Sequence, residues 1–252
     1  MRYAGALVLL TLLAGCATVR PAPDVKSPDM QPIDAWARVL KHFVDARGRV
    51  NFGRLGDDRA DLDRYVAWVY ASGPNSQPEL FPAREHKLAF HLNAYNALAM
   101  WNILQAGIPE RLGGFGRFSF FWRDRVSIGG KRMSLYSYEN DVIRAFDEPR
   151  IHFALNCMTL GCPRLPREPF YPERLNAQLA REAREFFAQD RNLRIDHEQR
   201  TVFVSQILDW FSEDFLIHTP SLIAYINRYT RQCVPEDYSL HFIPYDWTVA
   251  RQ

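Results

Sequence analysis

Apolar side chains recur at helical spacing along much of the chain. Trp36, Val39, Leu40 and Phe43 predict a helix over 33–46. Leu62, Tyr65, Val66 and Val69 repeat the spacing over 57–72, where Ser72-Gly73-Pro74-Asn75 stops it. The strongest pattern covers 84–106. There Leu88, Leu92, Tyr95 and Ala99 form one stripe, and Phe90, Leu98, Trp101, Ile103 and Leu104 fill the other sides. A helix that is apolar nearly all round belongs at the centre of a fold. Gly107 and Pro109 end it.

Other stretches read as extended. Residues 50–52 form a short piece, and 115–135 reads as strands with a hairpin turn at Gly129-Gly130. Ser134 or Ser137 then caps a helix reaching about Phe146. Residues 151–155 read as a short buried strand, and 172–189 as an amphipathic helix. A second hairpin over 193–208 turns at Glu198-Gln199. Residues 209–216 and 221–231 are helical, and 241–247 make a closing strand. Helices and hairpins are interspersed without βαβ alternation. The class expected is α+β: a single domain with a central buried helix, packed helices and antiparallel hairpins.

The first residues change where such a domain would sit. MRYAGALVLLTLLAGCATVR has a charge at Arg2 and an apolar run too short to span a bilayer. Leu13-Ala14-Gly15-Cys16 resembles a bacterial lipobox. The expectation is a signal peptide over 1–15, lipidation of Cys16 and a Pro-rich tether over 16–32. The globular domain then covers 33–252, enough for a substantial core. Ala17 after the cysteine points to the outer membrane, with the domain facing the periplasm. The 31 basic and 29 acidic residues nearly balance, so no nucleic acid partner is expected. The expected partners are the membrane, through the lipid, and a small-molecule or peptide ligand.

Candidate chemistry concentrates in RIHFALNCMTLGCPRL, residues 150–165. In a straight strand His152 and Asn156 face away from Cys157. If the strand ends near Leu155, His152 and Cys157 can form a base–thiol couple. A disulfide between Cys157 and Cys162 competes, because an exported protein meets an oxidising compartment and the loop is short enough to close. With Cys16 lipidated, that pairing leaves Cys233 free. A redox pair and a zinc site are further alternatives, but the spacings match neither C-x-x-C nor a common zinc module. Asn93 and Asn96 lie on neighbouring positions of the central helix, where buried amides need partners or a ligand. Glu139 and Arg144 precede the segment, and Glu139 is expected to pair with Arg144, Arg150 or His152. Asp209 or Asp246 can approach a histidine. No phosphate loop, G-x-S-x-G or HExxH occurs, and no metal or cofactor is expected.

FHLNAYNAL, SLYSYENDVIR, PRIHFALNCMTLGCPRL and VSQILDWFSEDF together resemble the family called domain of unknown function 547, over about 81–214. The resemblance maps its hallmark positions onto Asn93, Tyr95, Asn96, Glu139, Arg144, His152, Cys157, Cys162 and Pro163. It implies no established activity. Fusion of relatives to glutaredoxin-type domains hints at thiol or glutathione chemistry. A distant papain-like or transglutaminase-like layout is an analogy of fold, and there the nucleophile would sit where this helix carries asparagines. The combined expectation is a pocket where the Asn93/Asn96 helix, the Glu139 helix and 152–163 converge. The first reading is a binding module shaped by a Cys157–Cys162 disulfide, with Asn93, Asn96, Arg144, Asn156 and Cys162 as ligand contacts. The alternative is a thiol-dependent hydrolase or transferase acting on peptide, amide or glutathione-like substrates. It would use Cys157 (or Cys162) as nucleophile, His152 as base, Glu139 as orienter and Asn93 or Asn96 as an oxyanion or substrate donor.

Overall fold

The computed structural model describes residues 18–23 and 32–252. The expected signal peptide and Cys16 lie outside these residues. Helix α1 (Pro32–Phe43) and helices α2 (Phe52–Asp57) and α3 (Ala60–Ala71) follow the apolar spacing read at 33–72. Val50, read as extended, bridges to Val44 and Arg251 just before α2. Helix α4 (Arg84–Gln105) is the centre of the fold: every residue from Leu88 to Ile103 is buried. Helix α3 packs between α1 and α4, with Trp36 stacked on Tyr65 at 5.6 Å.

Residues 115–123 correct the strand expectation. They form helix α5 (Gly114–Phe118), which widens into a π-helical turn over Ser119–Arg123. Phe115, Phe118 and Trp122 contact one another in sequence along one side, while Phe120 and Phe121 are buried. That is helical spacing, and only the short β1 (Val126–Ile128) and β2 (Lys131–Met133) are strands. They pair antiparallel with Val126 opposite Met133. Gly129 and Gly130 turn them at φ 55° and 82°, the left-handed geometry a two-residue hairpin loop requires.

The Ser134 hydroxyl accepts from Ser137 N and caps α6 (Leu135–Ser137), which continues through a π turn to Ile143 and a 3₁₀ turn to Phe146. Residues 149–153 form a 3₁₀ helix where a strand was expected. Pro149 starts it, and the Glu148 carboxylate accepts from Arg150 N at 3.2 Å. The turn sends Ile151 into the core around α4 and Phe153 into a second core.

The second core is built by α7 (Leu175–Phe187), a three-stranded sheet and three short helices. Strands β3 (Leu193–Asp196) and β4 (Thr201–Ser205) form the predicted hairpin. Helices α8 (Ile207–Trp210), α9 (Ser212–Leu216) and α10 (Leu222–Asn227) follow. The closing strand starts earlier than read: β5 (Ser239–Ile243) lies parallel to β4. The two small sheets and the many helices make one α+β domain. Among the described residues no helix is long and apolar enough to cross a membrane.

Part of the expected tether lies against the domain. Thr18 O accepts from Arg125 N at 2.8 Å, and Arg20 pairs with the buried Asp124 at 2.5 Å.

Candidate active site

The 149–163 segment runs between the two cores, and a cleft of about 600 Å³ opens beside it. Tyr95, Glu139, Arg144, His152, Cys157 and Cys162 line one wall. Aromatic rings make most of the rest, among them Phe121, Trp122, Trp210, Phe211 and Trp247. The cleft lies where the sequence placed a convergence of α4, the Glu139 helix and the cysteine segment.

The two asparagines of α4 hold backbone and do not line the cleft. Asn93 accepts from Trp36 Nε1 and Phe170 N, and donates to Phe170 O. Asn96 donates to Ala154 O at 2.9 Å and accepts from Asn156 N at 2.8 Å. Asn156 then clasps its own loop. Its amide donates to Pro163 O and accepts from Met158 N, both at 2.6 Å. This clasp holds Met158 at φ 68°, a conformation that costs a branched or bulky residue about 1 kcal/mol. The amides of Asn93, Asn96 and Asn156, expected as ligand contacts, are taken up by loop support in this structure.

The closing chain covers the loop from the other side. Leu160 N donates to Thr248 O and Gly161 N to Asp246 O. These pairs place the Tyr245 hydroxyl 3.0 Å from Cys162 Sγ and 3.3 Å from Cys157 Sγ.

The expected Cys157–Cys162 disulfide is corrected. Both cysteines are free, with their sulfurs in hydrogen-bond contact at 3.0 Å, beyond the S–S bond length of about 2 Å. The Asn156 and Asn96 amides close the loop instead. Cys233 is also free, and exposed. The two sulfurs differ in surroundings. Cys162 Sγ accepts from the Cys157 backbone N–H at 3.0 Å and from the Tyr245 hydroxyl. The Cys157 thiol and, at 3.5 Å, the Thr159 hydroxyl complete its donors. Burial pushes both thiols up. At Cys157 the hydrogen bond and charge of Cys162 push the same way. At Cys162 the donors from Cys157, Thr159 and Tyr245 outweigh burial and bring the thiol below its ordinary value. Hydrogen bonding to a charged form is one of the few forces that can do so in a buried site. Of the pair, Cys162 is the sulfur whose hydrogen bonds favour the charged form.

His152 stands apart from this cluster. Its Nε2 lies 2.7 Å from Asp214 Oδ2, and its ring stacks on Phe211 at 4.0 Å. Asp214 accepts two further bonds from Arg144, at 2.7 and 2.6 Å. Burial would raise Asp214, but the Arg144 and His152 hydrogen bonds outweigh it and hold the carboxylate well below the usual range. Burial lowers His152 despite Asp214. The base–thiol couple expected of His152 and Cys157 therefore gives way to a His152–Asp214–Arg144 set.

None of the expected partners Arg144, Arg150 and His152 hydrogen-bonds Glu139, so it does not orient His152, and Arg144 acts on it only through its charge. Tyr95 donates to Glu139 Oε2 at 2.9 Å. Burial drives its carboxyl up to about 7, with Tyr95 opposing and the Cys162 charge adding to the rise.

Residues 79–187 match the family model for a protein of unknown function, DUF547. No curated protein and no solved structure matches. The DUF547 match contributes Tyr95, Glu139, Arg144, His152, Cys157 and Cys162. Asp214 and Tyr245 come from beyond it and complete both polar sets. Asp214 was legible only as part of VSQILDWFSEDF, and Tyr245 only as the neighbour of an Asp-Trp pair that pins the closing chain.

Proposed function

We propose that this domain is a thiol-dependent acyl-transfer enzyme, a hydrolase or transferase acting on an amide, peptide or thioester carbonyl. The observation that carries this reading is the donor set around Cys162, a buried sulfur at the wall of an aromatic cleft whose hydrogen bonds favour its charged form. The Cys162 sulfur attacks the carbonyl and forms a thioester. Glu139, protonated below about pH 7, gives its proton to the leaving group. As carboxylate it then takes a proton from the water or acceptor that releases the acyl group, restoring both residues. Cys157 is a donor to Cys162 rather than the nucleophile. Arg144 and His152, held by Asp214 and stacked on the Phe211 ring, put charge and hydrogen-bonding groups beside the rings and favour a polar end on the substrate.

A non-catalytic binding module is the second reading, favoured by the burial of both sulfurs, 7% exposed at Cys157 and 3% at Cys162. The location proposed is the outer membrane, anchored through a lipidated Cys16 with the domain in the periplasm; the lipobox-like 13–16 supports it.

The test is to incubate the protein with an aromatic acyl thioester and map the acyl group by mass spectrometry. Acylation on Cys162, lost in Cys162→Ser and retained in Cys157→Ser, is the result expected. Saturable binding with neither sulfur acylated would select the binding module.

A further inference from the structure

The mouth of the cleft carries an unusual surface. Phe115 is 67% exposed and Phe118 50%. Trp122, Tyr136 and Trp210 are exposed as well. Phe118 stacks on Trp122, and Trp122 lies 5.2 Å from Tyr136. Such a contiguous ring patch has a use, since isolated domains rarely leave one open to water. Two arginines lie over its rings and their neighbours, Arg123 over Phe115 and Arg117 over Trp247. The stretch 111–132 holds six basic residues, Arg111, Arg117, Arg123, Arg125, Lys131 and Arg132, against the single acid Asp124. Asp124 itself is buried and paired.

The N-terminal chain joins the domain at this place. Val19 bridges Arg125, and Arg20 pairs with Asp124. Asp124 also accepts from Arg123, whose guanidinium lies over the Phe115 ring at 5.0 Å. Cys16 stands two residues before Thr18, whose carbonyl is held by Arg125 N. An extended chain covers that gap in about 7 Å.

We propose that the aromatic rim of the cleft docks on the surface of an anionic lipid bilayer. Aromatic side chains settle at the headgroup level, and basic residues add attraction to anionic lipid. The short leash between Cys16 and Thr18 holds the rim against the surface; this part of the argument rests on the anchor reading. The cleft mouth then faces the lipid headgroups, so substrates reach Cys162 from the membrane side.

The full chain, purified from membranes, tests this in vesicles of phosphatidylcholine with phosphatidylglycerol. One set carries bromine near the headgroup end of the acyl chains. Docking predicts that tryptophan emission falls in the brominated vesicles and that Trp122→Phe removes at least half of the fall. That variant keeps an aromatic ring and removes only the reporter. Unquenched emission, or a fall unchanged by Trp122→Phe, overturns the proposal, and a rim that binds protein would give the first result. The mass of the same preparation reports acylation at Cys16 separately. Quenching without acylation would keep the docking and remove only the anchor.

Discussion

Glu139 shows how a single side chain sets the pH behaviour of the site. Its carboxyl holds a proton up to about pH 7 in the fold, against an ordinary value of 4.5. The raised value means that the neutral form favours the folded state. This contribution is complete below about pH 4.5 and is lost as pH rises to about 7. Glu139→Gln keeps an acceptor for the Tyr95 hydroxyl and cannot ionise. The variant should match the protein near pH 4 and exceed it above pH 7 by about 3 kcal/mol, read from urea denaturation at both pH values. Equal stability at both would contradict a carboxyl whose burial outweighs its Tyr95 hydrogen bond. The residue itself was legible from the sequence, but its partner was not. Spacing offered Arg144, Arg150 and His152, while the bond is made by Tyr95, a ring that the apolar stripe of α4 marks as core. Likewise His152 was found and its acid was not, because Asp214 lies 62 positions away and only the packing of α9 brings it near.

At the scale of elements, the site depends on two clamps around the 156–163 loop. Asn96 and Asn156 hold it from the α4 side, and the closing chain holds it from the other. Gly161 sits where the closing chain passes. A Cβ there would lie 2.8 Å from Asp246 N and from the Tyr245 ring, closer than real contacts allow. Gly161→Ala should therefore push Tyr245 off Cys162 and destabilise the domain by about 1–3 kcal/mol. It should also raise the Cys162 pKa toward its ordinary value, as read from alkylation rates against pH. An unchanged Cys162 value would show that Tyr245 is not one of its effective donors. Periodicity found α4, α7 and both hairpins, because long stripes and glycine turns are local signals. It failed at 115–123 and 149–153. In both, short apolar runs mimic strand alternation, and contacts with rings distant in sequence decide for a helical turn.

At the scale of the molecule, the cleft lies at the seam between two cores, with the cysteine segment as the strip between them. This arrangement lets a buried sulfur face both a polar donor set and an aromatic wall. A second hollow of about 1180 Å³, lined by Arg47, Arg164 and Arg191 among others, also reaches Cys162 and Tyr245. The position of the cleft was legible from the converging motifs. Which sulfur gathers the donors was not, since one of them is the Tyr245 hydroxyl, 83 positions away. The most direct measurement is alkylation of the native full chain over a pH series, with Cys157, Cys162 and the exposed Cys233 read separately by mass spectrometry. The account predicts that Cys162 labels faster than Cys157, with an apparent pKa well below about 8.5. Faster labelling of Cys157, or a Cys162 that labels only after unfolding or reduction, would contradict it.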